Sequence, residues 1–467
     1  MQHYDAIIVG AGQAGPPLAG RLVEAGQKVA LVERNLFGGT CVNTGCIPTK
    51  TMIASARAAW MVQRAADFGV MLEGGFHTDM KRVMARKNEI SHNSREHLEQ
   101  WLQSLDGCTI YREHARFAGP KQLSVGEDVI SADRIFLDVG GRAALPPITG
   151  LDKVPYLDNS SILQTDVLPR HLVIVGAGAI GLEFGQMYRR FGSKVTVISH
   201  GPALMEHEDK DVSEAIEDFF SKEGIETILG AAINEAQAQT SGIVVDVKTP
   251  QGHVKVTGTH LLMATGRRPN TDDLGLDVVG IETDRHGYIQ VDDQLRTNCE
   301  GVWAIGECNG HGAFTHTAHN DFQIVVANLL DGETRGLSDR IAAFSVYIDP
   351  PLGRAGMNKQ QARASGKEVL VARRPMTQVA RAREKDETEG FMEALIDART
   401  EKILGATVLG TGGDEIIHSF LDMMYAGAPY TAMKRAVHIH PTVSELIPTM
   451  LSDLKPLGAT AELAASK

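Results

Sequence analysis

The chain has 467 residues, 43% of them hydrophobic, with 48 glycines, five cysteines and a formal net charge of −12. That length exceeds one ordinary core and predicts roughly two to four domains. The acidic balance excludes a nucleic-acid partner, which requires clustered Lys and Arg. The apolar runs are too short for a membrane span, and five cysteines are too few for a secreted disulfide scaffold.

The opening Met1-Gln2-His3-Tyr4-Asp5 carries no basic lead into a signal-like segment, so a cytoplasmic protein is expected. Next comes the apolar run Ala6-Ile7-Ile8-Val9, a loop with Gly10, Gly12 and Gly15, a helical stretch, and the strand-like Val29-Ala30-Leu31-Val32 closed by Glu33. In a β-α-β unit the first glycine permits a tight turn, the second lets backbone approach a pyrophosphate and the third allows helix–strand packing. Glu33 stands where a carboxylate binds the ribose hydroxyls of an adenine dinucleotide. Pro16 and Pro17 fall in the early helix, where a missing N–H is tolerated.

The segment Gly38-Gly39-Thr40-Cys41-Val42-Asn43-Thr44-Gly45-Cys46-Ile47-Pro48-Thr49-Lys50 places two cysteines before a helix-compatible run. A helix N-terminus and Lys50 favour thiolate, the form that attacks disulfides and electrophiles. A metal site would need further Cys or His ligands nearby, and no metal is expected.

Pro146, Pro147, Pro155 and Pro169 mark a loop-rich junction before a second β-α-β unit: Leu172 to Val175, then Gly176, Gly178 and Gly181, a helix through about Phe191, and Val195 to Ile198. Ser199 and His200 follow where an acid would repel a 2′-phosphate, which tilts the second site towards NADPH over NADH. Further on, Thr297 to Glu307 reads as a short strand ending in a Gly turn, and Asp321 to Leu330 as a helix. After about residue 340, strand and helix patterns alternate without another Gly-rich loop.

The cysteine segment resembles the active-site signature of the class I flavoprotein disulfide reductases, which include lipoamide dehydrogenase, glutathione reductase and mercuric reductase. The match runs through the chain in family order. It implies an α/β fold with two tandem Rossmann-like FAD and NAD(P) domains and a C-terminal α+β dimerisation domain. The expected segments are 1–150 for FAD, 151–270 for NAD(P), 271–340 for the FAD return and 341–467 for dimerisation.

By that resemblance, Cys46 is the flavin-proximal, charge-transfer cysteine and Cys41 the interchange thiol, while Lys50 lies beside the flavin and Glu183 pairs with it. Cofactor contacts are implied at Gly39, Thr40, Ala115, Gly140, Gly266, Gly306, Glu307 and Thr315, with Glu307 replacing the family's Asp. His440 and Glu445, in His438-Ile439-His440-Pro441-Thr442-Val443-Ser444-Glu445, resemble the acid–base histidine and its orienting carboxylate. In the family this histidine completes the other subunit's site, which implies a homodimer.

Pro350-Pro351-Leu352-Gly353-Arg354-Ala355-Gly356-Met357 and Ala380-Arg381-Ala382-Arg383 resemble the mercuric-reductase-like branch, including flavoproteins that reduce hypothiocyanous acid. The tail Leu463-Ala464-Ala465-Ser466-Lys467 has no cysteine pair for Hg(II), which argues against mercuric reductase itself. The resulting expectation is an NAD(P)H oxidoreductase acting on a small disulfide or thiol-reactive oxidant. An NAD-dependent dihydrolipoyl dehydrogenase is the alternative enzyme, and a dinucleotide-binding redox sensor the alternative of another class.

Overall fold

A computed structural model describes residues 1–240 and 242–458; the tail Leu463 to Lys467 lies outside the described residues. β1 (Gln2–Val9), α1 (Gly15–Glu24) and β2 (Val29–Val32) form the first β-α-β unit. β1 and β2 run parallel, from Ala6 opposite Val29 to Val9 opposite Val32. All four residues of β2 are buried, which explains its continuous apolar sequence: a strand covered on both faces has no wet side to mark with polar residues.

The chain then forms α2 (Gly39–Asn43), α3 (Cys46–Gln63) and α4 (Met80–Gln103), the last capped by Asp79, whose side chain accepts the Arg82 N–H. β3 (Cys108–Tyr111), β4 (Ala115–Gly119), β5 (Gln122–Val125) and β6 (Asp128–Leu137) follow. The sheet order is β3-β2-β1-β6-β5-β4, with β6 parallel to β1. The C-terminal ends of β1, β2 and β6 therefore share one edge, where ligands bind in open α/β sheets.

After β7 (Gly141–Ala143), a second parallel sheet takes β8 (Tyr156–Leu157), β9 (His171–Val175), then α5 (Ala179–Phe191), β10 (Lys194–Ile198), α6 (Lys210–Lys222) and β11 (Glu226–Ile228). The antiparallel β12 (Ala232–Gln239), β13 (Gly242–Thr249) and β14 (Gly252–Gly258) intervene before β15 (His260–Met263) completes the order β11-β10-β9-β15-β8. β16 (Arg267–Pro269) pairs back with β7. Beyond α7 (Leu276–Val279), β17 (Val302–Ala304) rejoins the first sheet beside β6.

α8 runs Thr315–Leu329, beginning earlier than the Asp321 start expected from periodicity. Thr317 supplies the missing start signal: its Oγ1 accepts the Phe314 N–H at 3.2 Å and donates to the Phe314 carbonyl at 2.8 Å. Such local hydroxyl bonding organises a first turn without an apolar stripe.

The C-terminal domain is an antiparallel sheet of β18 (Ala343–Val346), β19 (Leu352–Gly356), β20 (Val369–Pro375), β21 (Phe391–Asp397) and β22 (Ile403–Leu409), with Lys455–Pro456 at its edge. α9 (Lys359–Ala364), α10 (Ala380–Glu384) and α11 (Gly413–Tyr425) accompany it. One buried cluster joins Met52 and Ala56 of α3, Phe184 and Tyr188 of α5, and Leu352 and Phe391 of the C-terminal sheet. Arg190 spans the same junction, bonding Glu223 at 2.7 Å and Asp349 at 2.5 Å, while Arg57 of α3 reaches Asp349 and Glu387. Satisfied from both sides, the buried Arg190 escapes the cost of an unpaired ion, and with the half-exposed Arg57 it fixes the three parts around the cysteine segment.

Candidate active site

Cys41 lies in α2 and Cys46 is the first residue of α3. Both are free thiols. Asn43 braces the connecting turn by donating to the Phe37 and Gly39 carbonyls, each at 2.9 Å. A hydrogen bond from Cys41 pulls the Cys46 thiol down to about 6 against opposing burial, helped by Thr315 and Lys50. The same bond, together with burial, pushes Cys41 up, so the pair holds one thiolate and one thiol. Thr315 Oγ1 is 3.5 Å from Cys46 Sγ. The helix start adds its positive end to the thiolate side.

Lys50 stands one turn into α3, on the same face as Cys46. Its Nζ bonds Glu183 Oε2 at 2.7 Å and lies 4.6 Å from the Tyr347 ring centroid. Glu183, buried on α5, also accepts the Tyr347 N–H at 2.9 Å through Oε1. Three parts of the fold thus hold one ion pair next to the dithiol.

The dithiol and the ion pair open into a cavity of about 990 Å³ that Gly10, Gly12, Glu33, Gly39, Thr40, Ala115, Gly140, Glu307 and Thr315 also line. A side chain at Gly39 would come within 2.9 Å of the Gly12 Cα, and one at Gly10 would collide with the Asp138 carbonyl. Glu33 is fixed at the end of β2, where its two oxygens accept the Ala11 and Asn35 N–H groups at 2.8 and 2.7 Å. This glycine-walled slot with a carboxylate at its far end fits FAD. Gly15 and Gly306 stand behind it: a side chain at Gly306 would press on Asp138, and one at Gly15 would strike the Gly10 carbonyl.

Of the second β-α-β unit, Ala179, Ile180, Glu183 and Phe184 of α5 reach this cavity. Gly176 and Gly181 are confined by backbone, Gly176 by the Ala264 carbonyl and Gly181 by that of Gly176, whereas Gly178 has open space beside it, as a backbone meeting a pyrophosphate needs. Gly266 adopts a positive φ of 108° and its carbonyl accepts the Ala144 N–H at 2.9 Å, at the crossing between domains. Ser199 is buried and its Oγ accepts the Gly201 N–H at 3.2 Å, while His200 is exposed. The Glu206 carboxylate lies against Gly201, where a side chain would strike it. Sequence spacing missed Glu206 because it arrives from the following loop, pinned by the Met205 N–H to the Ala177 carbonyl at 3.0 Å.

His440 is not in the cavity. Its side chain is 74% exposed, and Nδ1 is 2.8 Å from Glu445 Oε2. Thr442 makes that pairing possible by accepting the Glu445 N–H at 3.2 Å and donating to the Ile439 carbonyl at 2.7 Å. His438 bonds the Ser444 carbonyl at 2.8 Å and braces the same loop. Val437 and Ile439 are 98% and 80% exposed, an apolar edge beside a formed His–carboxylate pair.

The family profile described as pyridine nucleotide-disulphide oxidoreductase matches residues 4–321, and that of its dimerisation domain matches residues 342–451. The chain belongs to the pyridine nucleotide-disulphide oxidoreductase family. It is 33% identical to the probable pyridine nucleotide-disulfide oxidoreductase RclA of Escherichia coli, over 97% of this chain and 100% of that one. It is 30% identical to a dihydrolipoyl dehydrogenase of Cupriavidus necator, over 96% and 97% of the two chains, and to a mercuric reductase of Streptomyces lividans, over 98% of each. The solved structure of the HOCl-induced flavoprotein disulfide reductase RclA from Escherichia coli superposes with a TM-score of 0.88, covering 97% of this chain and 100% of that one.

Within this pyridine nucleotide-disulphide oxidoreductase, an FAD-dependent enzyme with a dimerisation domain, several site residues had no sequence signal. Arg267 grips both oxygens of Glu307, so the longer acid at that position comes with a partner. Phe314 stacks on His316 at 5.2 Å and on Phe344 at 5.8 Å, a row of rings flanking Thr315 that joins α8 to β18. Asp138 is buried under the first glycine loop. Of the remaining cysteines, Cys308 is sealed and donates to the Leu137 and Ile305 carbonyls, each at 3.3 Å. Burial pushes the Cys108 thiol up to about 11 and raises Cys299 and Cys308 as well. No described helix is long and apolar enough to cross a membrane.

Proposed function

We propose that this enzyme uses NADPH, in the cytoplasm, to reduce a small thiol-reactive oxidant such as hypothiocyanous acid through Cys41 and Cys46. The observation that carries this reading is the split dithiol, in which Cys46 is held as thiolate by Cys41, Thr315 and Lys50. The aromatic row His316–Phe314–Phe344 beside it suits a small uncharged oxidant better than a peptide disulfide bearing several carboxylates. FAD, when bound, supplies the two-electron relay between nicotinamide and dithiol.

The chain's own residues divide the remaining work. Lys50 and Glu183 orient the flavin and nicotinamide ends of the cavity. The Cys41 sulfur, its proton passed to His440, attacks the sulfur of hypothiocyanous acid; the oxygen leaves as water, taking that proton and the substrate's own. Cys46 then displaces thiocyanate and closes the disulfide, so that the dithiol is oxidised by two electrons and the oxidant reduced by two. His440, with Glu445 fixing its tautomer, performs the proton transfer from a second copy of the chain.

Purified holoenzyme is to be assayed with NADPH and NADH against hypothiocyanous acid, lipoamide, glutathione disulfide and Hg(II) separately. Fast NADPH-dependent hypothiocyanous acid reduction that is lost in Cys41→Ser supports the proposal. Fast NADH-linked lipoamide turnover overturns it in favour of a dihydrolipoyl dehydrogenase. Flavin reduction with no turnover on any acceptor would favour a redox sensor.

Coenzyme choice has a second reading. Ser199 leaves the strand end without an acid and supports NADPH, whereas the Glu206 carboxylate against Gly201 would meet a 2′-phosphate with like charge and supports NADH. Comparing kcat/KM for both coenzymes in wild type and Glu206→Ala separates them: a rise for NADPH alone in the variant assigns the discrimination to Glu206.

A further inference from the structure

Asp138 follows the apolar end of β6, Ile135-Phe136-Leu137, and is 6% exposed. Its Oδ2 accepts the Gly15 N–H at 2.8 Å, and the N–H groups of Gly12 and Ala14 are directed at the same carboxyl. A side chain at Gly12 or Gly306 would come within 2.9 Å of its oxygens. The carboxyl is therefore the joint between the first glycine loop and the return loop. The residues after Gly15 are Pro16 and Pro17, which have no N–H to offer. Donors that a helix N-terminus ordinarily presents to an anion are here either turned towards Asp138 or missing.

No cation pairs with Asp138 among the described residues. Glu33 faces it from the end of β2 and Cys308 from the return loop. Asp321 of α8 holds the Gly306 N–H and is spent on Arg340, as Glu307 is on Arg267. Burial dominates, partly offset by the Gly15 N–H and reinforced by Glu33, and pushes the Asp138 carboxyl up to about 8.

We propose that Asp138 is a proton-dependent latch on FAD: as a neutral acid it leaves the glycine-loop N–H groups to the pyrophosphate, and as a carboxylate it competes for those groups and repels the phosphates. The two negative charges of the FAD pyrophosphate nearby disfavour the carboxylate still further. FAD binding above the free carboxyl's pKa therefore takes up a proton. Affinity is flat while Asp138 is protonated in both forms and falls by up to about tenfold per pH unit once the FAD-free form ionises.

The test is the FAD dissociation constant of the full-length protein, read from the fluorescence of released flavin between neutral pH and about pH 10, which brackets this carboxyl. Wild type is expected to lose affinity progressively above pH about 8 and D138N to hold a flat profile. Parallel profiles in the two proteins overturn the proposal. Should D138N fail to fold, wild type decides alone: refilling the FAD-free chain in weak buffer at about pH 9 should take up close to one proton per FAD, and no uptake overturns the latch.

Discussion

Cys46 owes its thiolate first to the hydrogen bond from Cys41, and only then to Thr315 and Lys50. Its pKa is depressed, so thiolate is present above about pH 6 and lost as the pH falls through that value. The long-wavelength absorbance of the reduced holoenzyme should titrate there, and Cys41→Ala, which removes the leading cause, should move the midpoint upward. A pH titration of both proteins checks the sign. Glu183 makes a charge-assisted bond to Lys50, a type worth about 1.5–3 kcal/mol. Glu183→Gln should therefore slow nicotinamide-dependent flavin reduction by roughly tenfold to a hundredfold, measured by stopped flow, while dithiol oxidation by substrate is unchanged.

At the scale of elements, α5 both delivers Glu183 to the cavity and anchors Arg190 in the junction. Arg190→Ala would leave Asp349 and Glu223 with one buried partner fewer, a change that costs about 3–5 kcal/mol, and the urea midpoint should fall accordingly. The glycine loops, the cysteine segment and the His440–Glu445 pair were legible because each compresses its chemistry into one short run. Their placement against α5 and β18 was not. Tyr347 reaches Glu183 through its backbone, the Arg267 grip on Glu307 depends on β7 pairing with β16, and the Phe314 row depends on where α8 starts. Asp138 carried a faint signal, an acid directly after the apolar strand end Ile135-Phe136-Leu137, which only the packing of Gly12 and Gly306 turns into meaning.

The whole molecule holds the His440–Glu445 pair, the proposed acid–base, outside its own cavity, on an apolar edge formed by Val437 and Ile439. His440→Ala should lower oxidant turnover by about 100- to 10,000-fold while leaving flavin reduction intact. Mixed dimers of Cys41→Ser and His440→Ala chains, each inactive with its own kind, should regain one working site per dimer. Activity in tandem-tagged mixed dimers checks this, and its absence would place the histidine's action within one subunit.

On the proposed function, an enzyme that reduces thiol-reactive oxidants is also the nearest target for them. Here three of the five cysteines are withdrawn from that chemistry, Cys308 by complete enclosure and Cys108 and Cys299 by a raised pKa that keeps them protonated. Sulfenic acid formation needs an accessible thiolate, so damage is steered into the one pair that the nicotinamide supply continually restores. What remains unprotected is thioether: Met71 is 77% exposed on the loop after α3. On the same proposal, surface methionines of this kind are the side chains left to take the oxidant, and repair of their sulfoxide would limit how long the enzyme lasts.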